Sequence, residues 1–201
     1  MAATTPRLVL ASASPARLKT LQNAGLSPEI VVSGVDESAV PVTAPADYTL
    51  KLAQLKAVAV AASEKRAIVI GCDSVLALDG QILGKPSSEE EAVDRWRQMR
   101  GRAGVLHTGH CVIDTHREVW LARSAATQVR FAQVSDEEIE AYVATGEPLV
   151  VAGAFTLDGL GGAFVSGVTG DPHNVVGISL PLLRLMLEEL GFVWTEFWGN
   201  H

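Results

Sequence analysis

The chain has 201 residues, of which 48% are apolar and 19% charged, enough for a well-buried core and without the bias of a disordered or fibrous protein. Its net charge of −7 speaks against general affinity for nucleic acid, so cations that meet an anionic ligand must be gathered locally. No run approaches the roughly 18 apolar residues of a membrane span, and Ser12, Ser14, Pro15 and Arg17 interrupt the N-terminal apolar patch too early for a signal peptide, which makes the cytoplasm the expected location.

Leu8-Val9-Leu10-Ala11 predicts a first strand, and Ser14-Pro15 predicts the N-cap and first position of a helix that Gly25 ends. The free N–H groups of such a helix start, with Ser12, Ser14 and Arg17, can dock an anion; the same residues also make a plain capped helix. Glu29 to Val32 reads as a second strand and Gly34 to Asp47 as a loop carrying Asp36-Glu37. Tyr48 to Lys65 reads as a helix with Leu52, Leu55, Ala59 and Ala62 on one stripe and Lys56 beside it.

Ala67-Ile68-Val69-Ile70 is a short apolar run of the kind covered on both faces of a sheet, ending at Gly71-Cys72-Asp73-Ser74. Asp73 then stands at a strand end, where α/β sheets meet ligands, although aspartate there also serves as a simple turn former. Gly80 to Pro86 superficially resembles a phosphate-binding loop, but only three residues separate its glycines and Pro86 stands where a metal-binding hydroxyl is needed. Lys85 can still meet a phosphate as a point charge, or remain a solvated turn lysine.

Ser88 with Glu91, and Ser135 with Glu138, have capping-box spacing at the starts of two helices. Between them, Gly104 to Asp114 and Val119 to Phe131 predict two long antiparallel strands. Val150 to Gly170, rich in glycine, reads as short strands and tight turns, Gly170 to Asn174 as a loop, and Leu180 to Leu190 as the last helix. The alternation predicts one domain over residues 1–201, an α/β fold with a mixed sheet.

Cys72 and Cys111 lack metal spacing and are expected as buried thiols, and histidines 107, 110, 116, 173 and 201 show no zinc-ligand pattern. No Gly-x-Ser-x-Gly elbow supports acyl transfer, and Val75 two residues after Asp73 excludes an Asp-x-Asp phosphatase nucleophile. Asp36-Glu37 and Asp73 are oxygen donors suited to Mg²⁺, though a solvated acidic loop has the same sequence. With Arg and Lys on loops after strands, these are the parts for metal-assisted attack on a polyphosphate.

In order, Leu10 to Arg17, Asp36-Glu37, Leu52-Ala53-Gln54-Leu55-Lys56-Ala57, Gly71 to Val75, Gly84-Lys85-Pro86 and Gly170 to Gly177 resemble the Maf family over almost the whole chain. The resemblance implies an elongated mixed sheet with flanking helices, two lobes around a central cleft, similar to inosine triphosphate pyrophosphatases. It implies hydrolysis of a nucleoside triphosphate to monophosphate and diphosphate with a divalent cation, Mg²⁺ or Mn²⁺, in nucleotide-pool control. By the same resemblance Asp73 is the catalytic proton acceptor, Glu37 its acidic metal partner, and Arg17, Lys56 and Lys85 face the triphosphate above a loop holding Ser12 and Ser14.

Ala16 replaces the first of two arginines usual in the family, and Ser74 stands where its pyrimidine-specific branch has threonine. Val151 and Asp158 take the places of that branch's lysine and glutamine. An acceptor-only carboxylate for an amide alters which base edge is read, so Ser74 and Asp158 are the candidate specificity residues. A non-catalytic nucleotide-binding regulator of cell division is the alternative, and a nucleotidyltransferase a third reading. Trp120, Trp194 and Trp198 leave room for a homodimer surface or belong to the core.

Overall fold

The computed structural model describes residues 5–198. Seven strands form one mixed sheet: β1 (Arg7–Leu10), β2 (Glu29–Ile30), β3 (Ala67–Leu78), β4 (Gln81–Leu83), β5 (Ala103–Asp114), β6 (Val119–Phe131) and β7 (Val165–Thr169). The order is β2-β1-β3-β5-β6-β7, with β4 paired to β3. β1 runs parallel to β2 and β3, whereas β4 and β7 are antiparallel to β3 and β6. The connection between the neighbouring strands β5 and β6 is too short for a crossover, so they form an antiparallel hairpin.

Among the described residues there are six α-helices: α1 (Pro15–Asn23), α2 (Pro45–Ala61), α3 (Glu89–Met99), α4 (Asp136–Val143), α5 (Pro172–Val176) and α6 (Leu180–Glu189). Ser14, Ser88, Ser135 and Ser179 cap α1, α3, α4 and α6, each hydroxyl accepting a backbone N–H of the first turn. Among the described residues, no helix is long and apolar enough to cross a membrane.

The chain divides into two compact units. The first comprises the chain through Asp73, Thr108–Ala125 and the stretch from Gly177 onward; the second comprises Ser74–His107 and Ala126–Val176. In the first, the Ile68, Ile70 and Cys72 face of β3 packs with Leu21, Met186 and Leu187, while its Val69 face packs with Ala53, Ala57 and Cys111. The second has its own core around Trp96, which meets Phe131, Tyr142 and Phe164 edge to face. Cys72 and Cys111 are buried and free, and burial pushes both thiols up to about 12.

Four expectations are corrected. β3 does not end at Ile70 but continues through Gly71 and Asp73 to Leu78, so Asp73 lies inside a strand. β2 is only Glu29–Ile30, and both residues are exposed. The Ser88 box is half formed, because the Glu91 carboxylate takes the N–H and hydroxyl of Ser87 instead. Val150 to Gly170 contains two segments of 3₁₀ helix, Ala152–Ala154 and Leu160–Phe164, and one strand, and the short α5 begins inside the predicted loop.

Candidate active site

The position of Lys56 follows from two glycines. Gly71, on the face of β3 that also carries Val69 and Asp73, lies so close to α2 that an added Cβ would stand 2.3 Å from the Ala53 carbonyl oxygen. On β5, a Cβ at Gly109 would stand 2.2 Å from the Thr49 carbonyl oxygen. These contacts seat α2 on Thr49, Ala53 and Ala57, and its buried stripe becomes Thr49, Leu52, Ala53, Lys56, Ala57 and Val60. The predicted stripe is thereby rotated: Ala59 is exposed, and the lysine expected beside the stripe is inside it.

Asp73 comes two residues after Gly71, so the pleat points it toward the same helix. Lys56 Nζ lies 2.6 Å from Asp73 Oδ1 and 2.7 Å from Glu37 Oε1, a single ammonium shared by two carboxylates. Lys56 and Asp73 are each only 8% exposed, whereas the Glu37 side chain is half exposed. Asp36 is engaged elsewhere, its Oδ1 capping the 3₁₀ turn Glu37–Ala39 through the Ser38 N–H and hydroxyl. Of the acidic pair it is therefore Glu37 that reaches the lysine.

Arg17, in the first turn of α1, donates from Nε to the Gly177 carbonyl at 2.8 Å and from Nη1 to Ser12 Oγ at 3.1 Å. Ser12 Oγ also accepts the Ser14 N–H, and Ser14 Oγ accepts the Arg17 N–H. Burial pushes the Asp73 carboxyl up, and the positive charges of Lys56 and Arg17 pull against that shift without cancelling it. Ser12, Ser14, Arg17, Glu37, Lys56 and Asp73 all belong to the first unit.

Tyr48 was not among the expected site residues. Its phenol is pushed up by burial and then by the charges of Asp73 and Glu37, so it lies within reach of their field. Tyr48, Leu52 and Lys56 recur every four residues, a helical spacing that could have linked them once Lys56 was known to be buried. Gly177, whose carbonyl holds Arg17, closes the motif Gly170 to Gly177, but a backbone acceptor has no side-chain signal of its own.

Ser74, Lys85 and Asp158 belong to the second unit. The β3 pleat turns Ser74 to the face opposite Asp73. Lys85 is exposed, in a turn whose Gly84 carbonyl accepts both Arg95 Nη1 at 2.5 Å and the Gly153 N–H at 3.0 Å. Asp158 is exposed in the loop before the last 3₁₀ turn of that unit, Leu160–Phe164. Among the described residues, no three His, Cys, Asp or Glu gather as a metal cluster, and His201 lies outside the described residues.

The spacing of α2 makes a direct prediction. Gly71→Ala must displace either strand or helix backbone, and overpacking of this kind costs about 1–3 kcal/mol. A lowered Tm should accompany a loss of turnover in the folded protein, since Lys56 rides on the displaced helix.

An α/β protein with a buried aspartate paired to lysine, a half-exposed glutamate on the same ammonium and an arginine-bearing helix start is equipped to bind and attack an anionic substrate. The chain belongs to the family described as Maf-like protein, whose profile matches residues 7–190. A Salinispora tropica protein named Nucleoside triphosphate pyrophosphatase is 58% identical over 199 residues, covering 96% of this chain and 88% of its own. A Streptomyces coelicolor protein of the same name is 59% identical over 195 residues, covering 96% of this chain and 95% of its own. Among solved structures, the Staphylococcus aureus Ham1 protein aligns with a TM-score of 0.42 and 16% identity, over 63% of this chain and 72% of that one.

Proposed function

We propose that the chain hydrolyses nucleoside triphosphates to a nucleoside monophosphate and diphosphate, in keeping with the name its relatives carry. The observation that carries this reading is the buried Asp73 held by Lys56 with Arg17 nearby. A carboxylate whose pKa is raised by burial is a stronger base, suited to take the proton of a water that attacks the α-phosphorus. Lys56 and Arg17 supply positive charge to the triphosphate, and the hydroxyls of Ser12 and Ser14, with the start of α1, supply dipoles.

The donor set suits a divalent cation. Glu37 and Asp73 place one oxygen each within 2.7 Å of the same nitrogen, and Mg²⁺ is commonly held by one or two carboxylates together with substrate phosphates and waters. Those two residues would hold the ion, which when bound neutralises phosphate charge and orients water. The reading includes Mg²⁺ or Mn²⁺ dependence, a role in nucleotide-pool control and a cytoplasmic location.

The test is diphosphate release over a panel of ordinary and modified nucleoside triphosphates, with Mg²⁺, with Mn²⁺ and with chelator. Release of diphosphate from at least one triphosphate, abolished by chelator, is expected. Nucleotide binding with no diphosphate from any of them would instead make the protein a regulator, and a requirement for a second acceptor substrate would make it a nucleotidyltransferase. The resemblance gives Lys85 a phosphate-binding role. Lys85→Ala should then raise KM about 10- to 150-fold, the worth of one charged hydrogen bond of roughly 1.5–3 kcal/mol. Unchanged kinetics would leave Lys85 a solvated turn residue.

A further inference from the structure

In the second unit, the carboxylate of Glu147 gathers four donors. Its Oε1 accepts the Tyr142 hydroxyl at 2.8 Å, the Thr156 hydroxyl at 2.5 Å and the Gly161 N–H at 3.0 Å, and its Oε2 accepts the Leu160 N–H at 3.0 Å. The Tyr142 hydroxyl in turn accepts the Thr156 N–H at 3.3 Å. The donors stand on both sides of Leu157-Asp158-Gly159. The loop is wound tightly on this carboxylate: a Cβ at Gly159 would lie 2.6 Å from Glu147 Oε2, and one at Gly161 would lie 2.3 Å from the Tyr142 hydroxyl.

An ionised carboxylate has acceptors and no donor, so it can take all four N–H and O–H groups, three at Oε1 and one at Oε2. Burial pushes the Glu147 carboxyl up, but the hydrogen bonds from Thr156, Leu160, Gly161 and Tyr142 more than reverse this and hold it below the usual glutamate range. The charge therefore persists at neutral pH, and with it the clamp.

We propose that Glu147 is a positioning residue for nucleotide discrimination: its carboxylate clamps the Thr156–Gly161 loop and so fixes the direction in which Asp158 presents its acceptors. The proposal rests on the pyrophosphatase reading and on Asp158 facing the base. Discrimination by a hydrogen-bonding group depends on that group being held in place, because a mobile acceptor can adapt to more than one base edge. Glu147 touches neither substrate nor the reacting atoms in this scheme; it acts through the loop.

Glu147→Gln keeps the shape but turns an amide NH₂ toward donors, and one or more of the four bonds must fail. The measurements are kcat and KM across the triphosphate panel, Tm, and hydrogen exchange at the Leu160 and Gly161 amides. The expected result is faster exchange at both amides and a change of roughly tenfold in the ratio of kcat/KM between best and second-best triphosphate, with kcat on the best one changed less than about threefold. Thr156→Val, which removes one donor and leaves the carboxylate, should shift the ratio the same way by less, and stands in should Glu147→Gln fail to fold.

Unchanged amide exchange, or faster exchange with an unchanged ratio, overturns the proposal. A ratio that moves in Asp158→Asn but not in Glu147→Gln overturns it as well. A ratio that moves in Glu147→Gln but not in Asp158→Asn overturns it too, because Asp158 is then not the group through which Glu147 acts. If wild-type protein releases no diphosphate, the pyrophosphatase reading fails by itself, and the relative affinities of the same nucleotides with amide exchange decide the clamp.

Discussion

Asp73→Asn is expected to fold and to lose between about 10²- and 10⁴-fold in kcat, the usual worth of a positioned general base. Asparagine keeps the size and one acceptor of the side chain, and Lys56 retains Glu37 at 2.7 Å, so its ammonium is not abandoned in the interior. The cost in stability is therefore small beside the cost in turnover. The amide cannot accept a proton at neutral pH, and it offers a weaker ligand to a cation. Diphosphate release under saturating substrate, with Tm measured on the same preparation, separates these effects. Turnover within a few-fold of wild type would remove Asp73 from the chemistry.

Lys56→Met should invert that balance. Methionine matches the length of the stem and removes the cation that touches Asp73, a residue only 8% exposed in the native protein. Removing one partner of a buried ion pair typically costs about 3–5 kcal/mol, because the remaining charge is neither hydrated nor paired. For a chain of this size that corresponds to a Tm lower by roughly 6–20 °C. Arg17 acts on Asp73 through its charge but is committed by hydrogen bonds to Gly177 and Ser12, so it cannot swing over to replace the lysine. Glu37, half exposed, regains water and contributes little to the loss. Activity should fall with stability, and a Lys56→Met protein as stable as wild type would mean that the pair is not buried in solution.

Two helices announced themselves through local chemistry, since Ser14-Pro15 and Ser135 with Glu138 carry their own start signals, whereas α2 begins at Pro45 and α5 at Pro172, both inside stretches that read as loops. Where the sequence misled, a distant partner was responsible. Gly71-Cys72-Asp73-Ser74 has the composition of a turn, yet its glycine serves close approach by a helix and the strand runs on. The rotation of α2 depends on two glycines in β3 and β5, and no periodicity within α2 could reveal it. The loop around Asp158 lacks a ladder because Glu147, from an earlier 3₁₀ turn, satisfies its amides. Of the candidate residues, the N-terminal loop, Glu37, Lys56 and Asp73 were nameable from motif order. That one lysine would join both carboxylates was not, because an ion pair is a property of packing.

The glycines beneath α2 act as a spacer of atomic tolerance. A hydrogen bond is lost over a few tenths of an ångström beyond about 3.2 Å, and reacting groups misplaced by about 1 Å can lose a hundredfold in rate. A methyl group inserted at Gly71 or Gly109 is wider than either margin. On the proposed reading of Asp73 its reach is gauged by two side chains that are not there, and variation at these uncharged, chemically inert positions should tune turnover as strongly as variation at Asp73 itself.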